Sequence, residues 1–354
     1  MNPFELALEY PLNDVLPEFG TALEVAPGVR WVRLPLPFAL DHINVWLIRD
    51  SFDGRDGWTL VDCGVARDEL KAIWQQVFAQ ALDGLPIVRI IATHMHPDHV
   101  GLADWIGGRF GAPLWMTLSE YTTARLYSEG RVQGGATGGE RSAAFYRLHG
   151  LTDPDALDKI RARAAYYSSL VPRVPPSFRR IMHGDHIQIG GYTWRVKVGY
   201  GHSPEHASLF CEELNTLISG DMVLPRISSN VSVHDDEPDG NPVELYLASL
   251  DTYDDIPADA LILPSHGKPF RGVHIRIEQQ RRHHAERLAE VRAACATPKT
   301  AMEIVPLMFT RRLDLHQLTF ALGEAVAHLN LLYYAGELER IRENGTIRFM
   351  AAAR

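Results

Sequence analysis

This sequence predicts an α/β fold with a helical C-terminal tail, and three observations carry the prediction. The run Ile87-Val88-Arg89-Ile90-Ile91-Ala92 is apolar on both parities, as in a strand buried on both faces of a parallel sheet. Before it, residues 29–34 and 43–48 alternate like half-buried strands, and a further strand pattern follows at 58–64, an opening that reads as antiparallel. From about residue 272 the strand signals give way to helical periodicity.

The composition bounds the rest. A chain of 354 residues, 46% hydrophobic and 22% charged, has ample material for one large domain or two ordinary ones. A formal net charge of −9 argues against a nucleic-acid partner. The cysteines, Cys63, Cys211 and Cys295, are too scattered for a disulfide framework and suit a reducing compartment as small buried residues. The N-terminal Met-Asn-Pro-Phe-Glu-Leu-Ala lacks the basic and apolar regions of a signal peptide, and no apolar run reaches membrane-spanning length. A cytoplasmic protein with no membrane partner is expected.

Element by element, residues 1–30 wrap the edge of the fold. Pro35-Leu36-Pro37 turns the chain between the first two strands, and Asp53-Gly54-Arg55-Asp56-Gly57 reads as a hairpin-type loop. A helix over 67–82 leads to the strand at 87–92, a helix over 98–109, and a short strand at 113–116. Residues 119–180 read as a helical insertion. Its glycine-rich stretch at 134–139 suggests a mobile loop and a lid, with a surface decoration as the alternative. Strand patterns return at 187–189, 193–198, 207–211, 216–221 and 260–264, with a helix over 242–252 before the last. The domain division expected is a catalytic domain over 1–270 and a C-terminal domain over 271–354, built from helices at 275–296, 300–308 and 314–336 and a hairpin across Asn344-Gly345.

The chemistry concentrates where the buried strand ends, in Thr93-His94-Met95-His96-Pro97-Asp98-His99. Two histidines two apart on extended chain point the same way. Pro97 then starts a helix, so Asp98 and His99 return toward the same spot from its first turn. Three imidazoles and a carboxylate this close are ligand chemistry for a divalent metal. His202, Asp221 and His266 each follow a strand-like run in the same way, and so does Asp62. Each is weak evidence alone. Together they give seven candidate ligands, His94, His96, Asp98, His99, His202, Asp221 and His266, with Asp62 as an orienting acceptor or as a cap of the turn before Cys63-Gly64.

In these motifs the sequence resembles the metallo-β-lactamase superfamily. Gly201-His202-Ser203-Pro204-Glu205-His206, Ser219-Gly220-Asp221 and Pro264-Ser265-His266-Gly267 match its later motifs in order, over roughly residues 25–270. The resemblance implies a four-layer αβ/βα sandwich with two metals at one edge. It also implies that His94, His96 and His202 bind one metal, Asp98, His99 and His266 the other, and that Asp221 bridges them. Zinc is the expected metal, and the donors also suit iron or manganese. Asp221 stands where the antibiotic-hydrolysing members commonly carry Cys, which argues against that activity. The pattern with Asp98 is similar to hydroxyacylglutathione hydrolases, N-acyl-homoserine lactonases and lactamase-beta-like endoribonucleases. Residues 271–354 resemble the winged-helix tail of the last group. One departure is the 103-position gap from His99 to His202, filled by the insertion, so a relative's substrate does not carry over.

The expected chemistry is hydrolysis. Two divalent ions acidify the water between them, and the resulting hydroxide attacks a thioester, ester or lactone carbonyl of a small molecule. Asp98, by the resemblance, shuttles the proton, and Asp62 fixes a ligand histidine. The alternative enzyme is an endoribonuclease or phosphodiesterase, which needs phosphate-clamping arginines where the insertion offers only Arg125, Arg131, Arg141 and Arg147. A non-catalytic metal-stabilised binding protein is the third reading, opposed by the complete ligand set. Tyr166 and Tyr167 are expected to pack or to donate to a substrate carbonyl, and Arg226 is a candidate anion clamp. His42, His183 and His186 are read as lacking partners, His206 as capping or packing, and His283 and His284 as solvated. The tail carries 13 Arg or Lys against 9 Asp or Glu, yet its last helix is mostly apolar. Docking on the core or a homodimer is therefore expected over nucleic-acid binding.

Overall fold

The computed structural model describes residues 4–38, 40–129, 138–163 and 165–353. The first sheet runs in the order β1 (Leu23–Ala26), β2 (Val29–Pro35), β3 (His42–Phe52), β4 (Arg55–Val61), β5 (Ile87–Ile91), β6 (Leu114–Met116) and β7 (Phe178–Arg180). Pairing is antiparallel from β1 to β4 and parallel from β4 to β7. The loop between β3 and β4 is shorter than the sequence suggests. Asp53 and Gly54 both take positive φ, 50° and 72°, making a two-residue turn whose twist matches the strands, so Arg55 to Gly57 belong to β4.

Helices α1 (Asp68–Gln80), α2 (Pro97–Val100) and α3 (Ala103–Phe110) connect these strands. The single helix expected over 98–109 is broken in two at Gly101-Leu102. Gly101 is the point of closest approach there: a Cβ would stand 2.7 Å from the Gly64 carbonyl and 2.8 Å from that of Leu170. Between β6 and β7 lie α4 (Leu118–Ser128), α5 (Gly138–Leu148), α6 (Pro154–Ala162) and α7 (Tyr166–Leu170). Of the glycine-rich stretch expected to be a mobile loop, residues 134–137 lie outside the described residues.

The second sheet has the order β12-β11-β10-β9-β8, from β8 (His186–Ile189), β9 (Tyr192–Gly199), β10 (His206–Cys211), β11 (Thr216–Gly220) and β12 (Leu261–Pro264). Its pairing is antiparallel except between β11 and β12, which are joined through α8 (Pro242–Ser249). The tail follows as α9 (Val273–Ala294), α10 (Ala301–Met308), α11 (Leu315–Tyr334) and the hairpin β13 (Leu338–Glu343) and β14 (Thr346–Ala351).

Strand alternation sorts the side chains into layers. Trp31, Trp46 and Ile91 of the first sheet meet Trp194, Leu209 and Ile218 of the second in one buried cluster. Their sequence neighbours face the other way. Val32, Leu47 and Ile90 pack with Trp74 of α1 and Ile106 of α3, while Phe210 and Leu217 pack with Val243 of α8 and with α9 to α11. The result is the αβ/βα sandwich, and the tail shares its outer core. α11 is buried continuously from Ala321 to Asn330, as expected for a helix whose apolar side chains each stabilise by about 1.5–3 kcal/mol when covered. Among the described residues no helix is long and apolar enough to cross a membrane.

Candidate metal centre

The loops leaving the C-terminal ends of β4, β5, β11 and β12, and the turn between β9 and β10, meet at one edge of the sandwich. All seven expected ligands come together there. His94 Nε2 lies 2.8 Å from His96 Nδ1 and 3.2 Å from His202 Nε2. His99 Nε2 and His266 Nε2 each lie 3.5 Å from Asp98 Oδ2. Asp221 stands between the two groups: its Oδ2 is 3.4 Å from His202 Nε2 and 3.6 Å from His99 Nε2, and its Oδ1 is 3.4 Å from His266 Nε2. Donors bonded to a zinc ion at about 2.0–2.1 Å in a tetrahedron are separated by about 3.3 Å; the spacings of 3.2–3.6 Å fit the edges of such a shell, and the His94–His96 pair is closer. Two buried atoms aimed into the cluster, His99 Nε2 and Asp221 Oδ1, have no hydrogen-bond partner. Buried polar atoms are rarely left so, and a cation supplies what is missing. The donor set therefore fits metal.

The outward-facing nitrogens explain why the lone pairs point inward. His202 Nδ1–H donates to the Asn230 carbonyl at 2.8 Å and His266 Nδ1–H to that of His42 at 2.7 Å. His99 Nδ1–H donates to Asp62 Oδ2 at 2.8 Å. The Thr93 hydroxyl donates to Asp62 at 2.9 Å and receives His94 Nδ1–H at 3.0 Å, so Asp62 orients two ligands. Asp62 also takes the Thr93 N–H, from a backbone at φ 63° that allows this reach.

Charge is balanced inside the cluster. Burial and the neighbouring imidazoles hold His94 and His96 well below the ordinary histidine range. Burial disfavours charge on His99 too, but Asp98, Asp62 and Asp221 outweigh it and hold its pKa well above that range. Asp221 goes the other way: burial opposes its charge, and His266 and His99 nevertheless hold it well below the carboxylate range. Among the described residues no Lys or Arg side chain bonds any of the seven.

A profile described as the metallo-beta-lactamase superfamily matches residues 39–266. The chain belongs to that superfamily. A second profile, the metallo-beta-lactamase-like C-terminal domain, matches residues 288–352. A beta-lactamase domain protein from Burkholderia ambifaria has 55% identity and a TM-score of 0.94, covering 99% of this chain and 100% of that one. A metallo-beta-lactamase family protein from Thermus thermophilus has 27% identity and a TM-score of 0.75, covering 93% and 100%. YqjP of Bacillus subtilis (strain 168), described as a probable metallo-hydrolase, is 24% identical over 91% of this chain and 98% of its own length. The chain is a superfamily metallo-hydrolase with a candidate His/Asp metal site.

Several parts of this superfamily member's site lie outside the expected residues. Glu120 of α4 is fully buried, and its carboxylate accepts the Met95 N–H at 2.8 Å, the Ser203 hydroxyl at 2.6 Å and the Glu205 N–H at 2.6 Å. It ties the His94–His96 loop to the His202 loop. Burial pushes its pKa up, and these three donors pull against that. The signal was its register, since Glu120, Ala124 and Tyr127 share the buried face of α4. Tyr167 of α7 donates to the Met95 carbonyl at 2.5 Å and packs against Tyr127. So α4 and α7 brace the ligand loops.

His206 is fully buried, and its Nε2 accepts the Asp221 N–H at 3.1 Å. Burial takes its pKa down to about 3. Gly220, at φ 55°, makes room: a Cβ would lie 2.2 Å from His206 Nε2. Three histidines depart from expectation. His42 has partners, its Nδ1 bonding Asp41 at 2.5 Å and its Nε2 accepting the Gly267 N–H at 3.0 Å, because it sits against the His266 turn. His183 Nδ1 accepts the Val198 N–H at 3.1 Å. His284 is fully buried and bonds His328 at 3.1 Å, because α11 covers that face of α9. Arg226 does not reach the ligands; it is 69% exposed, with Glu5 3.9 Å away.

Proposed function

We propose that this metallo-hydrolase cleaves an ester, thioester or lactone carbonyl of a small molecule and holds two divalent cations, zinc by preference. The observation that carries this reading is Asp221, whose carboxylate stands between the two imidazole groups, 3.4 Å from His202 of one and 3.4 Å from His266 of the other. His94, His96 and His202 with Asp221 would hold one cation, and Asp98, His99 and His266 with Asp221 the other. The cations would supply an acidified water and charge stabilisation at the carbonyl oxygen. The chain does the rest. Asp98 is the most open of the ligand carboxylates, 16% exposed against 9% for Asp221, and is the proton carrier to the leaving alkoxide or thiolate. Asp62 keeps the His99 tautomer fixed through the cycle. Phosphate clamping has less support from Arg125 and Arg141, which are engaged by Glu129 and Asp235.

The test is a panel of acyl thioesters, lactones, aryl esters, bis(p-nitrophenyl) phosphate and single-stranded RNA, run with metal-loaded protein. Carbonyl substrates should turn over, and Asp98→Asn should lose about 10²–10⁴ in kcat. Turnover of the phosphodiester or RNA alone, or an Asp98→Asn variant as fast as the parent, would refute this reading.

A further inference from the structure

His316, in the first turn of α11, sits among rings from three parts of the chain. Phe38, in the loop before β3, lies 5.9 Å away centroid to centroid, Tyr166 of α7 5.6 Å, and Phe320 of its own helix 4.9 Å. Each carrier is fastened to a different part of the ligand set. The Phe38 loop leads into His42, whose carbonyl holds His266. Tyr166 precedes Tyr167, which bonds the carbonyl of Met95 between His94 and His96. The Phe320 carbonyl accepts the Ser232 hydroxyl at 3.2 Å, and two residues earlier Asn230 holds His202. The rings therefore sit on segments tied to the ligand loops, and the charge of Asp98 reaches Tyr166. None of the four rings is fully buried, so the cluster is a wall with an open side rather than core.

A cation stands at this wall. The Arg163 guanidinium lies over the Tyr166 ring at 5.9 Å, and its charge reaches His316 as well. The charge of Arg67, the N-cap residue of α1, also reaches Tyr166. Among the described residues neither guanidinium has an acidic partner, whereas Arg125, Arg141 and Arg161 in the same insertion all do. Burial, reinforced by Arg163, lowers the His316 pKa, so the ring is neutral and serves as apolar surface.

We infer that Phe38, Tyr166, His316 and Phe320 with Arg163 form the substrate-side subsite, taking a flat or branched apolar acyl group that carries an anionic end. The apolar body lies on the rings and the carboxylate or other oxyanion meets Arg163, whose planar fork suits such a group. The tail thereby contributes to specificity through α11. This inference rests on the carbonyl-hydrolase reading for the acyl group, and on the rings and Arg163 for the ligand's shape and charge.

The binding test uses metal-loaded, full-length protein and naphthalene-2-sulfonate, a flat anion that is a poor metal ligand, measured by titration calorimetry. Arg163→Gln and His316→Ala should each weaken Kd about tenfold, with Arg163→Lys and His316→Phe recovering most of it. Arg147→Gln, which removes an exposed charge elsewhere on the insertion, should leave Kd unchanged. With benzylsuccinyl thioester as substrate the same two variants should raise KM more than they lower kcat. No binding to the parent protein, or equal binding by parent, Arg163→Gln and His316→Ala, would overturn the subsite. Binding lost as expected in a protein that hydrolyses no carbonyl substrate would keep the subsite and remove the carbonyl reading instead.

Discussion

Replacing Glu324 by Gln probes how the tail is held against the metal loops. Glu324 lies on α11, fully packed, and its nearest donor is the Asn230 amide at 3.5 Å, too long to compensate for lost water. Burial raises its pKa from 4.5 to about 7, against smaller opposing effects of Arg287 and the Asn230 bond. The folded state thus holds the proton more tightly than the unfolded chain does. The stability from this proton is fully present below pH 4.5 and is lost as pH rises through about 7. That gap corresponds to at most about 3 kcal/mol. Gln is neutral at every pH, so Glu324→Gln should lie within about 1 kcal/mol of the parent at pH 5 and exceed it by up to about 3 kcal/mol above pH 8. Urea unfolding of both proteins from about pH 5 to 8.5, at one fixed metal concentration, reads the difference. Titration of the ligand histidines is common to both proteins and cancels. A parent-minus-variant difference that stays flat across this range, or grows in the parent's favour with pH, would refute the reasoning.

Three further outcomes follow from named contacts. Glu120→Ala strands three buried donors and should cost about 3–5 kcal/mol in urea midpoint analysis while loosening metal retention against a chelator. Asp62→Asn keeps the volume but leaves one acceptor oxygen where Asp62 uses Oδ1 for the Thr93 N–H and Oδ2 for His99 Nδ1–H, so metal affinity measured by competition should fall about 10–100-fold with the fold intact by circular dichroism. Arg89→Met breaks a buried pair with Asp50 at 2.5 Å and should destabilise by about 3–5 kcal/mol; because the pair lies away from the ligands, metal stoichiometry should be unchanged.

The sequence by itself determined the layers and the ligand types. Period-two alternation assigned Trp31 and Val32 to opposite faces, and the strand at 87–92 could only be central, because both of its parities are apolar. The seven candidate ligands were legible because metal chemistry restricts residue type: His and Asp at strand ends are informative in a way that Leu is not. What tertiary structure alone decided is how those ligands are aimed. His202, His266 and the His94–His96 loop are held by the carbonyl of Asn230, the carbonyl of His42 and the Tyr167 bond to the carbonyl of Met95. Main-chain oxygens exist at every residue, so no residue type marks them. Glu120 was half-legible, as a carboxylate in an apolar register, but its three donors come from loops distant in sequence. The three rings around His316 were not legible at all: Phe38, Tyr166 and Phe320 lie in three separate segments, and only the docking of α11 on the sandwich brings them together.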